Sequence, residues 1–279
     1  MGAATARELA RRGFHVLAGV RRDSDGVPLR GDGVEPVILD ITDPDHVAAL
    51  AARIERDPRR LGALVNNAGI PGPGPVEATP LDQWRRIFEV NVLGHVAVTQ
   101  ALLPALVRDK GRIVNITSLN GRISMAGYGP YAASKFAMEA VSDALRNELA
   151  PHGVQVVVVE PGGVKTEMSR TGLTALTILE AAMTPEQEAR YGDLIQAIPA
   201  HVAAFTSAGV TSDVAAKTIA RAVIDPRPRT RYTIGATAAF LIRASRVLPD
   251  RMLDRMTTSD LRKHYPDQGR GPVSSARTG

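Results

Sequence analysis

The stretch Leu61-Gly-Ala-Leu-Val-Asn-Asn-Ala-Gly69 contains the pattern on which the whole chain is organised, a short apolar run that ends in polar residues and a glycine. Such runs, bounded by turn residues, are typical of buried strands. Similar apolar runs occupy 14–20, 34–39, 112–117 and 154–160. Stretches with helical spacing separate them. Strands that alternate with helices predict a single α/β domain with a doubly wound parallel sheet and helices on both faces.

The spacing of apolar residues predicts helices over 2–12, 44–56, 81–107 and 131–150. In a parallel sheet of this kind, ligands bind at the carboxyl ends of the strands. Because polar residues and glycines follow five of the predicted strands, we expect one binding site along that edge. These residues are Arg21, Arg22, Asp40, Asn66 to Gly69, Ser118, Pro161 and Gly162.

Composition excludes several classes of function. The 279 residues include no cysteine, which rules out disulfides, thiolate catalysis and Cys-based metal sites. Six histidines lack metal-ligand spacing, so no metal site is expected. The net charge of +5 comes from scattered arginines and favours no nucleic-acid partner. No apolar run approaches membrane-spanning length and no secretory signal opens the chain, so a cytoplasmic protein is expected. We predict one domain over 1–266 and a disordered tail over 267–279.

Tyr131-Ala-Ala-Ser-Lys135 opens the last predicted helix and places a tyrosine and a lysine four residues apart. At this spacing the two side chains lie on one helix face. A lysine ammonium stabilises a nearby phenolate, so it would bring the pKa of Tyr131 nearer to neutrality and suit it to proton transfer. The alternative is an ordinary surface helix that carries both residues.

Five motifs in order give the chain a family resemblance. They are Asn66-Asn67-Ala68-Gly69, Asn91, Ser118, Tyr131-x-x-x-Lys135 and Pro161-Gly162-x-x-x-Thr166, with Ser118 placed 13 residues before Tyr131. Over residues 2–235 the chain resembles the classical short-chain dehydrogenases/reductases. The resemblance implies a Rossmann-like sheet and an oxidoreductase that transfers a hydride to or from a nicotinamide.

The resemblance also implies catalytic roles. Tyr131 would be the acid/base that exchanges a proton with the substrate oxygen, and Ser118 would hydrogen-bond that oxygen. Lys135 would hold the nicotinamide ribose and lower the pKa of Tyr131. Asn91 would hold a water in the proton relay, or else it is a polar residue that kinks a helix.

Cofactor contacts follow from the same resemblance. Asn67, Ala68 and Gly69 would pack beside the adenosine ribose, unless they form only a turn after a strand. Asp40 would contact the adenine, although it could equally cap the next helix. The remaining implied contacts are Gly2, Ile41, Tyr131, Lys135, Pro161, Gly162, Val164 and Thr166, with Val164 and Thr166 against the carboxamide.

The choice of cofactor depends on the end of the second family strand. An NAD site carries an acidic residue there, whereas this chain has Val20 followed by Arg21 and Arg22. A guanidinium suits a 2′-phosphate, so NADP(H) is favoured over NAD(H). The alternative is that both arginines are merely solvated.

The chain departs from the family at its start. Gly2 corresponds to the last glycine of the phosphate-binding loop, and the first family strand and most of that loop are missing. The two strands that flank the missing one would then lack their shared partner. Either the translation start is placed too far downstream, which we prefer, or this is a damaged or repurposed member. A non-catalytic dinucleotide-sensing or protein-binding role is therefore the second functional hypothesis.

The segment 167–207 is rich in apolar residues and is expected to form a substrate lid, which favours an apolar secondary alcohol or ketone. The same residues could instead only pack the lid onto the body. The segment 229–250 is similar to hydroxysteroid and retinol dehydrogenases, which suggests a steroid-, retinoid- or lipid-like substrate. Membrane contact through 236–247 is the minority interpretation. Family resemblance implies a homo-oligomer formed through 81–107 and 131–150.

Overall fold

A computed structural model describes residues 1–31 and 33–266. Eleven α-helices and six strands alternate within these ranges. The strands are β1 (Val16–Val20), β2 (Val34–Ile38), β3 (Ala63–Asn66), β4 (Arg112–Ile116), β5 (Gln155–Pro161) and β6 (Arg231–Ile234). The helices are α1 (Gly2–Arg11), α2 (Asp23–Gly26), α3 (Pro44–Arg56), α4 (Leu81–Phe88), α5 (Gly94–Asp109), α6 (Gly129–Leu149), α7 (Met168–Ala181), α8 (Pro185–Ser207), α9 (Ser212–Ile224), α10 (Ala236–Ala244) and α11 (Asp250–Arg262). The predicted tail over 267–279 lies outside the described residues.

Helices cover both faces of the sheet, as the continuous apolar strands predict. On β5, Val157 faces a core that contains Ile219 of α9. Its neighbour Val156 faces the opposite core, which contains Leu102 and Leu106 of α5. Because successive side chains of a strand point to opposite faces, a strand buried on both sides is apolar at every position.

The sheet is divided into two parallel parts. One contains β1 and β2, and the other has the order β3-β4-β5-β6. A cavity of about 700 Å³ separates them and is lined by Val16 to Gly19 of β1 and Ala63 to Asn66 of β3. Within residues 1–31 and 33–266, each of these strands pairs on one side only. The structure therefore confirms the expectation that two strands lack a shared partner.

Some elements differ from the sequence-based prediction. The predicted helix over 81–107 is α4 and α5 joined by a π-helical turn at Glu89–Leu93. The whole stretch Leu81–Asp109 is long and apolar enough to cross a membrane by composition, but 56% of its most apolar window is buried, as in a core helix. The short β6 was not predicted because Arg231 and Thr233 interrupt its apolar pattern. Its pairing with β5 supplies the backbone hydrogen bonds that hold it.

Candidate active site

The first turns of α6 bring Tyr131 and Lys135 to the carboxyl end of the sheet. They line one cavity of about 640 Å³ there, together with Ser118 after β4. The Lys135 Nζ atom lies 5.8 Å from the centre of the Tyr131 ring. Lys135 is 3% exposed and donates a hydrogen bond of 3.0 Å to the carbonyl of Ile116. The predicted pairing of tyrosine and lysine on one helix face is therefore present.

The electrostatic expectation for Tyr131 was wrong in direction. Burial raises the pKa of Tyr131 above its ordinary value, and the Ser118 side chain opposes this only in part. Burial also lowers the pKa of Lys135 to about 8, with Glu139 acting in the opposite direction. Lys135 is not among the groups that shift the pKa of Tyr131, and its ammonium donates to the backbone of β4 rather than to the phenol.

Ser118 is positioned by a local turn. Its backbone is extended, and its Oγ accepts a hydrogen bond of 3.1 Å from the Asn120 N–H at the start of a short 3₁₀ helix. Ser118 also acts on Tyr131, because it lowers the pKa of the Tyr131 hydroxyl and so opposes part of the effect of burial. The two hydroxyls can therefore bind one substrate oxygen together, the first from the end of β4 and the second from α6.

Asn91 connects the loop after β3 to α6 through its side-chain hydrogen bonds. It is fully buried in the π-helical turn. Its Oδ1 accepts from the Ile70 N–H at 2.8 Å, and its Nδ2 donates to the Ile70 carbonyl at 3.0 Å and to Ser134 Oγ at 3.1 Å. These bonds fix the loop after β3 against α6. They support the alternative that Asn91 is a polar residue of an irregular helix. The role of Asn91 in holding a water stays a prediction.

Close approach of the backbone occurs where α1 meets the loop after β3. A Cβ atom on Gly2 would lie 2.7 Å from Asn67 Nδ2, so the Asn67 side chain lies directly against the backbone at the start of α1. The Oδ1 atom of Asn67 is buried and has no hydrogen-bond partner within residues 1–31 and 33–266. Both residues line the site cavity. An acceptor left without a partner fits the hydroxyl groups of a bound nucleotide.

Most of the predicted cofactor residues line this same cavity. They are Gly2, Arg21, Asp40, Ile41, Asn67, Ala68, Gly69, Tyr131, Lys135, Pro161, Gly162, Val164 and Thr166. Asp40 does not cap α3, because Asp43 accepts from the first N–H groups of that helix. Asp40 instead accepts from the N–H and hydroxyl of Thr42 at 3.0 and 2.7 Å.

The two arginines after β1 have different environments. Arg21 lines the cavity, whereas Arg22 pairs with Asp25 at 3.1 Å and does not line it. The guanidinium of Arg22 therefore has a local acidic partner, and the assignment of Arg22 to the cofactor stays a prediction. Sequence reasoning missed Arg86 of α4, which lines the cavity. The hydrogen bonds from Thr42 are the main cause of the lowered pKa of Asp40, and the charges of Arg86 and Arg21 lower it further. No motif marks Arg86, since only packing brings α4 beside β2.

A buried ionic cluster beneath the site was also missed. Glu139 and Glu160 are 4% and 1% exposed. Arg231 lies 3.0 Å from Glu139, and Arg122 lies 3.0 Å from Glu160. The four residues come from α6, β5, β6 and the loop after β4. They were invisible in the sequence because no two of them are neighbours there.

The comparisons with known proteins agree with this arrangement. The sequence profile described as "short chain dehydrogenase" matches residues 1–175. The chain belongs to the short-chain dehydrogenase family. It is 36% identical to retinol dehydrogenase 5 of Mus musculus over 268 residues, which is 92% of this chain and 84% of the relative.

Solved structures share the fold. A short-chain dehydrogenase from Burkholderia cenocepacia in complex with NADP is 28% identical to this chain, with a TM-score of 0.69. The match covers 91% of each of the two chains. A second from Burkholderia phymatum, in complex with NAD, is 22% identical with a TM-score of 0.72 and 87% coverage of both chains. The chain is thus a short-chain dehydrogenase with the Rossmann-like fold.

The site residues fit a nicotinamide dinucleotide. One cavity is lined by Arg21 and Asp40, which follow β1 and β2, and by Tyr131 and Lys135 of α6, and the unpartnered acceptor belongs to Asn67 in the same lining. When bound, such a cofactor supplies or accepts the hydride. Among the described residues, no group of three or more acidic or histidine side chains could hold a metal ion.

Proposed function

We propose that this short-chain dehydrogenase is an NADP(H)-dependent oxidoreductase that interconverts an apolar secondary alcohol and its ketone. The observation that carries the proposal is the meeting of Ser118, Tyr131 and Lys135 in the cavity that also contains the nucleotide-binding residues. Separated along the chain, these three side chains meet only at the carboxyl edge of the sheet.

In the direction of reduction, the Tyr131 hydroxyl donates a proton to the substrate oxygen as the carbonyl carbon gains a hydride. Ser118 donates a second hydrogen bond to that oxygen and stabilises its developing charge. Burial raises the pKa of Tyr131, so its hydroxyl is protonated at neutral pH and is available as the donor, although it is a weaker acid than an exposed tyrosine. Lys135 would hydrogen-bond the ribose hydroxyls, and their approach would turn it from the Ile116 carbonyl.

NADP(H) is preferred in this proposal because Arg21 and Arg86 stand at the Asp40 end of the cavity without an acidic residue at the end of β1. A guanidinium binds a phosphate through charge-assisted hydrogen bonds. The neighbour in complex with NADP supports this choice, and the neighbour in complex with NAD makes a direct comparison of the two cofactors necessary.

The substrate part of the cavity supports an apolar compound. Side chains of the lid helices α7 and α8 line it, namely Met168, Leu173, Ile198, Val202 and Phe205. Other apolar lid residues, including Leu176 and Ile195, pack into a separate core instead. The likeness to a retinol dehydrogenase agrees with a steroid-, retinoid- or lipid-like substrate.

The proposal is tested by following NADPH consumption with a panel of steroid, retinoid and long-chain ketones. We expect Tyr131→Phe to lower kcat by about a hundredfold or more, because it removes the proton donor. Tyr191→Phe is the matched control, since the Tyr191 hydroxyl donates to Glu77 at the surface. Equal activity of the Tyr131→Phe variant and the wild type would contradict the assignment. NADPH binding by fluorescence would show that each variant keeps its site.

The gap between β1 and β3 favours one alternative, a protein that binds the dinucleotide without turnover. It lies beside Gly2, where the amides of a helix N-terminus receive a pyrophosphate. NADPH-dependent thermal stabilisation without turnover of any ketone in the panel would favour this sensor role over the enzyme.

We also propose that copies of the chain associate through α4, α5 and α6. Leu81 of α4, Leu93 of the π-helical turn between α4 and α5, and Phe136 of α6 are 68%, 53% and 44% exposed, and an interface on these helices would bury them. Light scattering of the purified protein tests this. A monomer at all accessible concentrations would contradict it.

A further inference from the structure

Two polar side chains that the proposed reaction does not use, Tyr128 and His201, meet in the wall of the site cavity. Tyr128 immediately precedes α6, three residues before Tyr131, and His201 lies on the lid helix α8. Both line the cavity, next to Ile198, Val202 and Phe205. Burying two polar side chains among apolar ones costs free energy unless they are hydrogen-bonded. The hydrogen-bond partners of Tyr128 and His201 therefore indicate what the pair can bind.

Burial favours the neutral form of His201, and a nearby carboxylate favours one of its two tautomers. It is 4% exposed, and burial lowers its pKa, helped by His264 and opposed by Asp260. Its Nε2 lies 3.5 Å from the Asp260 carboxylate of α11. This contact is longer than a typical hydrogen bond, but a carboxylate can only accept, so it favours the neutral tautomer that carries the proton on Nε2. The other nitrogen, Nδ1, is then an acceptor and faces the Tyr128 hydroxyl.

The bond between Tyr128 and His201 is weak. Its length is 3.4 Å, whereas hydroxyl hydrogen bonds are typically about 2.8 Å. Burial raises the pKa of Tyr128, so its hydroxyl stays protonated. The pair therefore presents one donor and one acceptor to the cavity, both poorly satisfied. A ligand hydroxyl can donate to His201 Nδ1 and accept from the Tyr128 O–H, and it would satisfy both.

The neighbouring polar groups of the lid do not offer the same site. Ser169 Oγ and Thr206 Oγ1 also line the cavity, but they lie 3.3 Å from each other and can rotate freely to suit. They are partly exposed and can exchange with water. His201 is instead fixed by Asp260, by the parallel ring of Phe205 and by the edge of His264.

We propose that Tyr128 and His201 form a second anchoring point of the substrate, which binds a hydroxyl group that the substrate carries away from its reacting carbon. The inference rests on the proposed function and narrows it. The substrate class becomes an apolar hydroxy-ketone, or the corresponding diol in the oxidative direction. Ser118 and Tyr131 bind the reacting oxygen, and the second anchor sets which end of the molecule reacts.

A site built to hydrogen-bond a substrate hydroxyl rejects an analogue that lacks it, because its own polar groups are then left poorly paired. The first test uses the wild-type protein with NADPH and two ketones. Both have the same rigid tetracyclic skeleton, and only one carries a hydroxyl at the end opposite the ketone. We expect kcat/KM to favour the hydroxy-ketone by about tenfold to a hundredfold, mainly through KM.

Variants then locate the anchor. Tyr128→Phe should bring the ratio of the two kcat/KM values close to one, and His201→Leu should do the same. His201→Gln keeps an acceptor and should restore part of the ratio. Tyr191→Phe, which removes a hydroxyl bonded to Glu77 outside the cavity, should keep the wild-type ratio.

The outcomes distinguish a failure of the second anchor from a failure of the proposed function. Turnover of both ketones with equal kcat/KM by the wild type would overturn the second anchor and leave the proposed function intact. A wild-type preference that survives in Tyr128→Phe would overturn the anchor as well. Because this comparison needs only the wild type and one tyrosine variant, it holds even where a His201 variant fails to fold. Turnover of neither ketone, nor of any other in the panel, would overturn both proposals.

Discussion

A strand supplied to the gap between β1 and β3 should join the two parts of the sheet. The perturbation is a fusion of five β-branched residues and a short glycine-containing turn ahead of Met1. Five residues span about 17 Å, the length of a strand such as β1. The matched control is a fusion of equal length made only of glycine and serine.

The magnitude follows from the cavity and its two free strand edges. Five buried β-branched side chains would contribute about 10 kcal/mol. Ordering five residues costs about as much. The remaining gain is from about eight backbone hydrogen bonds, which at roughly 0.5 to 1 kcal/mol each amounts to about 4 to 8 kcal/mol. For a chain of this size that corresponds to a rise in Tm of about 10 to 20 °C.

Differential scanning fluorimetry with and without NADPH measures the effect. We expect the apolar fusion to raise Tm, and to increase the shift that NADPH adds, because the turn supplies amides near Gly2 for the pyrophosphate. An unchanged Tm, or an equal rise with the glycine and serine control, would refute the reasoning. It would mean that β1 and β3 close on each other instead of accepting a strand.

Three further predictions use single substitutions. Arg21→Ala should raise the KM for NADPH about tenfold with little effect on NADH, whereas Arg22→Ala should change neither, as steady-state kinetics with both cofactors would reveal. Lys135 has a pKa of about 8 against an ordinary 10.5, so the unfolded chain binds more protons between these pH values and stability rises there. Relative to Lys135→Met, the wild type should therefore gain about 3 kcal/mol of unfolding free energy across that window, measured by denaturant titration, and a flat difference would contradict the burial of the ammonium. Gly163→Ala should destabilise the protein by about 1 to 3 kcal/mol, because the added Cβ would overlap the backbone of α8. A Cβ added at Gly31 would meet open space, so Gly31→Ala should change the free energy of unfolding little in the same titration.

Local pattern determined much of this protein. Apolar runs ending in polar residues predicted β1 to β5, and the spacing of Tyr131 and Lys135 predicted their common helix face. The motif residues after each strand converged on one cavity because parallel strands end at the same edge. The strands and helices could be predicted because apolar residues repeat every two residues in a strand and every 3.6 residues in a helix. Both spacings are visible in a short window of sequence.

Tertiary structure decided the properties that depend on contacts between residues far apart in the sequence. Whether Arg21 or Arg22 faces the cavity depends on the position of Asp25, and the pKa of Tyr131 depends on burial that only packing produces. The convergence of Tyr128, His201 and Asp260 joins α6, α8 and α11, and no sequence spacing encodes it. Sequence fixes which side chains an element offers to its neighbours, but contacts between distant elements set the charge, hydration and partners of each one, and these determine its chemistry.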